Sequence, residues 1–160
     1  MKLYWIDAVV LIQASNAYYP FHRVPKFWIF ISRQLDSGTI RAPKIVWQEV
    51  SDGTDELANW VRQRKEKGLC VTASKTVQEK YKEISGHVYS KYKPHQAGEF
   101  LKGGDGWVIA HAMATSGTVV TEESDRSRKA KVKIPTVCKA LGIKCINTFS
   151  MLEELEAGEF

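Results

Sequence analysis

The stretch Leu3-Tyr4-Trp5-Ile6-Asp7, an apolar run that ends in an acid, decides the predicted fold. A short, wholly apolar run of this kind is typical of a strand buried inside a parallel sheet. In open parallel sheets, ligands bind outside the carboxyl ends of the strands. A carboxylate directly after a buried strand is also poorly placed to serve solubility alone. We therefore expect Asp7 to lie at a functional edge of a parallel sheet.

Three further acids occupy comparable positions along the chain. Glu123 lies just past a second strand-like run, residues 118–121, and Asp105 opens an apolar helical stretch. Glu49 lies late in a short predicted helix. Short strands that alternate with longer helices predict an α/β fold of three layers, with a central parallel sheet between helices. In that architecture the four acids are expected to converge at one edge of the sheet.

The remaining predicted elements follow from apolar periodicity and from helix start and stop signals. They are helices over 25–37 and 55–67, a helix with a capping box at Thr76 and Glu79 that ends by Pro94, strands over 69–72 and 144–147, and a closing helix from Thr148. We find no repeat or linker that divides the chain, and 160 residues suit one domain with a sizeable core. The prediction is a single domain over residues 1–160.

Composition excludes several classes of protein. A hydrophobic fraction of 44% argues against a disordered chain, and the net charge of +5 is compatible with a polyanionic partner without establishing one. Cys70, Cys138 and Cys145 are too few for a disulfide framework and lack zinc-ligand spacing. No segment approaches the ~20 apolar residues of a membrane span. We therefore expect no membrane partner and a cytoplasmic location.

Clustered carboxylates point to phosphodiester chemistry assisted by a divalent cation. Such a cation stabilises charge on the attacking and leaving oxygens and lowers the pKa of bound water. Magnesium keeps several waters and needs only a few carboxylates, so acids from separate elements suffice. The alternative is that each acid caps a helix or decorates a loop, as Asp105 at a helix start could do. The joint pattern of the four favours a site more than any member does singly.

In the order and setting of these acids, the chain resembles a PIN domain, the fold of VapC-like toxin ribonucleases. Such domains begin with an apolar strand that ends in Asp, as at residues 3–7, and continue with a helix-borne Glu, as at Glu49. An Asp then opens a helix of small and apolar residues, as at Asp105. A later strand ends in Thr-x-Asp or Thr-x-Glu, as at residues 121–123. The resemblance covers nearly the whole chain in the right order.

The chain looks most like a little-characterised, single-domain prokaryotic branch of these proteins. It shares with that branch Tyr-Tyr-Pro-Phe at 18–21, Lys-Ile-Pro-x-Val-Cys at 133–138 and Cys-Ile-Asn-Thr-Phe at 145–149. The resemblance implies an endoribonuclease that hydrolyses RNA phosphodiesters, the toxin of a toxin–antitoxin pair. It also implies an antitoxin protein that occupies the acidic groove, and a possible homodimer.

The resemblance further assigns roles to residues. The implied ligands of Mg²⁺ or Mn²⁺, direct or through water, are Asp7, Glu49, Asp105 and Glu123. Thr121 would support the site by hydrogen bonding to a ligand or a water, and Asp125 is a second candidate for support.

Two positions depart from the PIN pattern. Family members usually carry Thr or Ser and then Asn or Ser after the first Asp, whereas this chain has Ala8 and Val9, so polar support is missing there. The fourth acid is Glu123 in place of the commoner Asp, with Glu122 and Asp125 as alternatives.

Other residues admit two interpretations each. A basic run follows the acidic corner and either contacts an RNA backbone or is a solvated loop; its members are Arg126, Arg128, Lys129, Lys131 and Lys133. His111 falls six positions beyond Asp105 and points away from it on a helix, so we expect packing or surface exposure and not metal ligation.

Two other functions remain open at this stage. Ala8 and Val9 are compatible with a catalytically weak PIN-like module that binds RNA or protein. A phosphohydrolase on a different open α/β fold would use Asp7 as its nucleophile, although position 9 lacks the second Asp that such enzymes carry.

Overall fold

A computed structural model describes residues 2–64, 69–124 and 131–160. The strands are β1 (Tyr4–Ile6), β2 (Ile40–Arg41), β3 (Thr118–Val120) and β4 (Cys145–Ile146). The helices in the first half are α1 (Ala8–Gln13), which continues into a π-helical turn (Ala14–Tyr18), α2 (Pro25–Ser37), α3 (Lys44–Ser51) and α4 (Glu56–Arg62). Those in the second half are α5 (Lys75–Lys91), α6 (Pro94–Lys102), α7 (Asp105–Thr115), α8 (Ile134–Leu141) and α9 (Thr148–Glu154).

The four strands form one parallel sheet in the order β2-β1-β3-β4. Tyr4 pairs with Ile40 on one side of β1 and with Thr118 on the other, and Val120 of β3 pairs with Ile146. Because every strand runs the same way, β1 and β3 end side by side at the same edge. The residues that follow Ile6 and Val120 are therefore neighbours, as the sequence predicted for a central parallel sheet.

Helices cover both faces of the sheet. Successive side chains of a strand point to opposite faces of the sheet. Neighbouring side chains of β1 therefore contact different helices. Trp5 donates a hydrogen bond from Nε1 to Thr115 Oγ1 of α7 at 2.9 Å, whereas the Tyr4 hydroxyl donates to Glu154 Oε1 of α9 at 2.9 Å. On the Trp5 face, α7 packs against β1 and β3, and α5 packs against α7. The predicted three-layer α/β architecture is confirmed.

Several predicted elements differ from those observed. The strand over 69–72 is reduced to one bridge between Val71 and Pro43. The helix expected over 55–67 ends at Arg62, and residues 65–68 lie outside the described part of the chain. The cap of α5 is Ser74, whose side chain accepts the N–H of Val77, so the Thr76 capping box is wrong. Among the described residues, no helix is long and apolar enough to cross a membrane.

Gly117 sits where the chain turns from α7 into β3 and leaves no room for a side chain. A Cβ there would lie 2.9 Å from Trp5 Cδ1 and 3.1 Å from the Leu3 carbonyl oxygen. We expect Gly117→Ala to lower the free energy of unfolding by about 1–3 kcal/mol, the usual effect of overpacking a core. Urea denaturation followed by circular dichroism measures the change.

The matched control is Gly86→Ala in α5, where an added Cβ meets nothing within 4 Å. Because alanine is the better helix former, that variant should gain about 0.5–1 kcal/mol. Equal stability of the two variants would contradict the close approach of Trp5 to Gly117.

Candidate active site

Asp7 lies at the end of β1 and is almost completely buried, with 2% of its surface exposed. It caps α1, since its Oδ1 accepts the backbone N–H of Val10 at 3.2 Å. Burial is the main reason that its pKa rises to about 7, and the charges of Asp105 and Glu123 raise it further. The hydrogen bonds from Thr121 and Val10 oppose this rise. Asp7 thus caps α1 and also lies within the electrostatic influence of two other acids.

Thr121 joins the ends of the two central strands. Its hydroxyl donates to Asp7 Oδ2 at 2.6 Å and accepts the backbone N–H of Glu123 at 3.1 Å. One side chain therefore orients Asp7 and the turn that carries Glu123. The polar support that the sequence lacks at Ala8 and Val9 comes instead from the adjacent strand.

Asp105 lies in the first turn of α7, on the same side as Asp7. The N-cap residue is Gly104, and no side-chain cap hydrogen bond closes this end of the helix. Burial, followed by the charges of Glu123 and Glu49, raises the pKa of Asp105 to about 7, and the charges of Lys131 and Lys133 counteract the increase. Its carboxylate does not cap the helix, although its place in the first turn is one that the helix dipole favours.

Glu49 reaches the same region from α3. Much of its side chain is exposed, but its Oε1 accepts the backbone N–H of Gly104 at 2.7 Å. Desolvation around this carboxylate raises its pKa, and the hydrogen bond from Gly104 lowers it. A Cβ at Gly104 would lie 3.2 Å from Oε1 and 3.0 Å from Val46 Cγ2. Glycine at this position thus allows α3 to carry Glu49 close to the start of α7.

Glu123 and Glu122 point to different parts of the structure. Glu123 accepts the backbone N–H of Ile134 through Oε2 at 3.0 Å, and its charge acts on Asp7 and Asp105. Glu122 accepts the N–H of Thr148 at 3.0 Å and so satisfies the start of α9. Asp125, the other alternative for the fourth acid, lies outside the described residues. Of the two described alternatives, Glu123 is the one beside the other acids.

The basic run is described only from Lys131 onward, and Arg126, Arg128 and Lys129 lie outside the described residues. Lys131 lines a cavity of about 460 Å³ together with Asp105 and with His95 and Glu99 of α6. Sequence reasoning missed His95 and Glu99. Their spacing of four positions in a helix that begins at Pro94 was the available signal, because residues so spaced share a helix face.

The donor set suits a hard divalent cation in its chemistry. Asp7, Asp105 and Glu123 provide only oxygen atoms, and the charge of Glu123 raises the pKa of both aspartates, so a cation among them would relieve the repulsion. In residues 2–64, 69–124 and 131–160, however, no group of three or more His, Cys, Asp or Glu side chains is arranged to hold a metal ion. These three acids therefore match a divalent cation in the type and the charge of their donor atoms.

Solved structures with the same fold come from three bacteria. They are VapBC2 from Rickettsia felis bound to a promoter DNA fragment (14% identity, TM-score 0.56, covering 91% of this chain and 98% of that one), FitAcB from Neisseria gonorrhoeae (16%, 0.55, 92% and 99%) and VapBC-1 from nontypeable Haemophilus influenzae (11%, 0.54, 89% and 96%). At these identities the likeness concerns the fold, and it confirms the predicted VapC-like PIN fold in place of a different open α/β fold.

Comparison by sequence identifies a family but no curated relative. A family described as a domain of unknown function, DUF4411, matches residues 4–158. The chain therefore belongs to the DUF4411 family and has the fold of VapC-like PIN domains.

Proposed function

We propose that the protein is a metal-dependent endoribonuclease and the toxin of a toxin–antitoxin pair. The observation that carries the proposal is the cluster of acids at the carboxyl edge of β1 and β3. Asp7, Asp105 and Glu123 repel one another there, and burial raises the pKa of both aspartates to about 7. Such an arrangement destabilises the fold when the acids are ionised, and a bound cation would offset that effect.

The residues that would hold the cation, Mg²⁺ or Mn²⁺, directly or through water, are Asp7, Glu49, Asp105 and Glu123. When bound, the cation supplies activation of water and stabilisation of charge on the leaving oxygen. The protein positions the carboxylates: Thr121 orients Asp7, the Gly104 N–H orients Glu49, and the Ile134 N–H orients Glu123.

An RNA strand is the substrate that the surroundings of Asp105 favour. Lys131 lies at the cavity that Asp105 lines, and its charge and that of Lys133 both act on Asp105. The ammonium groups of Lys131 and Lys133, beside the acids, would contact phosphates on either side of the scissile bond. Arg126, Arg128 and Lys129 would extend this contact along the strand, with Asp125 as a further support of the site.

Protein partners are proposed from the structural neighbours. The chain shares its fold with VapBC2, FitAcB and VapBC-1, and its resemblance to VapC-like toxins implies an antitoxin. By analogy, an antitoxin would cover the acidic edge of this chain and exclude RNA from it. A homodimer and a cytoplasmic location, where RNA targets are found, belong to the same proposal.

A catalytically weak PIN-like module that binds RNA or protein is the second candidate. It is favoured by the involvement of both Asp7 oxygens in hydrogen bonds, with Val10 and with Thr121. The deciding experiment is cleavage of a mixed RNA pool by the purified protein with Mn²⁺ or Mg²⁺, and with EDTA as the control. Cleavage that requires the cation supports the nuclease. Binding of the pool without any cation-dependent cleavage supports the module.

Thr121→Val tests whether the hydroxyl positions the acids. Valine keeps the shape of threonine but removes both hydrogen bonds, so Asp7 and the Glu123 turn lose their common support. We expect cleavage, or the apparent affinity for Mn²⁺, to fall by about 10–100-fold, the usual effect of losing a group that orients a ligand. Calorimetric titration with Mn²⁺ measures the affinity.

The matched control is Thr118→Val, which makes the same change at the other end of β3. It should leave the affinity for Mn²⁺ unchanged. A Thr121→Val protein that folds and binds Mn²⁺ as tightly as the parent would contradict the orienting role.

A further inference from the structure

A second cavity, of about 380 Å³, lies between α3 and α7. It is formed by the start of α3, the segment 71–73 and the middle of α7. Its apolar walls include Pro43, Ile45, Val71 and Trp107, and its polar groups include Lys44 and His111. None of the four acids lines it, and neither does any other Asp or Glu in the part of the chain that the structure describes. Cavities of about 300–1,000 Å³ with apolar walls and a few polar groups are typical of small-molecule sites.

His111 is a buried polar residue that lines this cavity. It is 3% exposed, and its ring stacks on Trp5 with 4.4 Å between the centroids. Its backbone oxygen accepts the Thr115 hydroxyl, but its ring nitrogens have no hydrogen-bonding partner among the described residues. Thr148 Oγ1 is the only described side-chain polar atom that is fully enclosed without a partner. The His111 nitrogens therefore retain access to open space, and the cavity that His111 lines provides it.

The backbone at the start of α3 adds a positive end to the same cavity. The N–H of Lys44 donates to the Val71 oxygen at 2.7 Å, and those of Val46 and Trp47 donate to the Pro43 oxygen. The N–H of Ile45 has no acceptor among the described residues. An unused N–H in the first turn, the helix dipole and the ammonium group of Lys44 all favour an anion at this position.

Trp107 gives the cavity a rigid aromatic wall. Its indole is stacked on the ring of Tyr81, with centroids 4.0 Å apart and planes inclined by 13°. Tyr81 in turn is fixed by its hydroxyl, which donates to the Leu101 oxygen at 3.0 Å. A side chain held in this way loses little conformational freedom when a ligand packs against it.

We propose that this cavity binds a small organic anion, whose phosphate or carboxylate lies at the first turn of α3 and whose flat apolar part packs against Trp107. Lys44 and the Ile45 N–H contact the anionic group, and a ring nitrogen of His111 donates to the ligand. Burial lowers the pKa of His111 to about 4, so the imidazole is neutral at pH 7 and offers one donor and one acceptor. The site is separate from the proposed nuclease centre and does not depend on it.

The test is calorimetric titration of the full chain, in EDTA, with adenosine monophosphate, adenosine, inorganic phosphate and benzoate. We expect adenosine monophosphate or benzoate to bind and both adenosine and phosphate alone to bind more weakly. Preference between the first two distinguishes a phosphate ligand from a carboxylate. Lys44→Gln should weaken binding by about tenfold or more, the loss expected for a charge-assisted contact. Lys26→Gln, at another helix start after a proline, should change nothing.

His111→Phe keeps a ring on Trp5 and removes both nitrogens, and it should also weaken binding. In the parent protein, the imidazole signals of His111 in an NMR spectrum should shift on titration, which tests the contact even if that variant does not fold. The proposal is overturned if neither organic anion binds or if Lys44→Gln leaves binding unchanged.

Discussion

Asp105→Asn should reduce RNA cleavage by at least about a thousandfold and should make the cation-free protein more stable at pH 8. Cleavage falls because the proposed cation site loses a carboxylate, and the transition state then loses several kcal/mol of stabilisation. Stability rises because asparagine replaces a partly buried carboxyl group. Burial, Glu123 and Glu49 raise the pKa of that group to about 7. Each unit of pKa corresponds to about 1.4 kcal/mol, so the gain reaches roughly 4 kcal/mol at most.

Two measurements on the same preparation separate these effects. Cleavage rates in Mn²⁺ report the loss, and thermal unfolding in EDTA at pH 8 reports the gain, which should amount to several degrees. Asp52→Asn, an exposed acid at the end of α3, is the control and should alter neither. An Asp105→Asn protein that is folded and still cleaves RNA normally would remove Asp105 from the site. One that is inactive but no more stable would show that the ionised carboxylate is not destabilising.

The affinity for Mn²⁺ should fall steeply as the pH drops below 7. The pKa values of Asp7 and Asp105 both lie near 7, so a cation must displace protons from both carboxyl groups at lower pH. Each proton displaced weakens the apparent affinity by about tenfold per pH unit, which gives about a hundredfold per unit for the pair. Because the two groups interact, the titration belongs to the pair and not to either residue alone.

The stability of the cation-free protein should change in the opposite sense. The pKa of each aspartate is higher in the folded chain than the ordinary value of 3.8, so the folded state binds more protons between about pH 4 and pH 7. The contribution of these groups to stability is therefore greatest below about pH 4 and is lost as the pH rises through 7. Lys131 and Lys133 moderate the effect at Asp105.

Thermal unfolding from pH 5 to pH 8, with EDTA and with saturating Mn²⁺, measures both trends. We expect Mn²⁺ to raise the melting temperature much more at pH 8 than at pH 5. In Asp105→Asn this difference should shrink. A Mn²⁺ effect that is the same at both pH values would mean that the cation binds groups other than these two carboxyls.

The sequence was sufficient to predict the ends of the two central strands. Apolar runs that stop at Asp7 and before Glu123 are unambiguous, because a buried strand tolerates no charge until it leaves the sheet. The edge strand β2 was missed because it has only two residues, Ile40 and Arg41, which form no pattern of their own. The expected strand over 69–72 failed for the complementary reason: its apolar residues are used in packing, and only Val71 pairs with another segment.

The sequence of α8 contains ordinary helix start and stop residues, although we interpreted residues 133–138 only as a family motif. Pro135 lies in its first turn and Gly142 ends it in a left-handed conformation, which are ordinary start and stop signals. Long-range contacts were harder to predict. Thr121 supports Asp7 through a hydrogen bond between two strands, and Gly104 orients Glu49 from another helix. The family motif indicated a supporting role for Thr121, but spacing along the chain predicts neither its bond to Asp7 nor the bond from the Gly104 N–H to Glu49.

The strand order determines when, during synthesis of the chain, the acidic site can form. The hydrogen bond from Thr121 to Asp7 joins residues 114 positions apart, and Glu123 is held by the start of α8, which is made later still. Contacts of such long sequence separation form late. While the chain emerges from the ribosome, Asp7 therefore remains without Thr121 and Glu123 until α8 has been synthesised. The proposed nuclease would therefore gain its acidic site only after translation has passed α8.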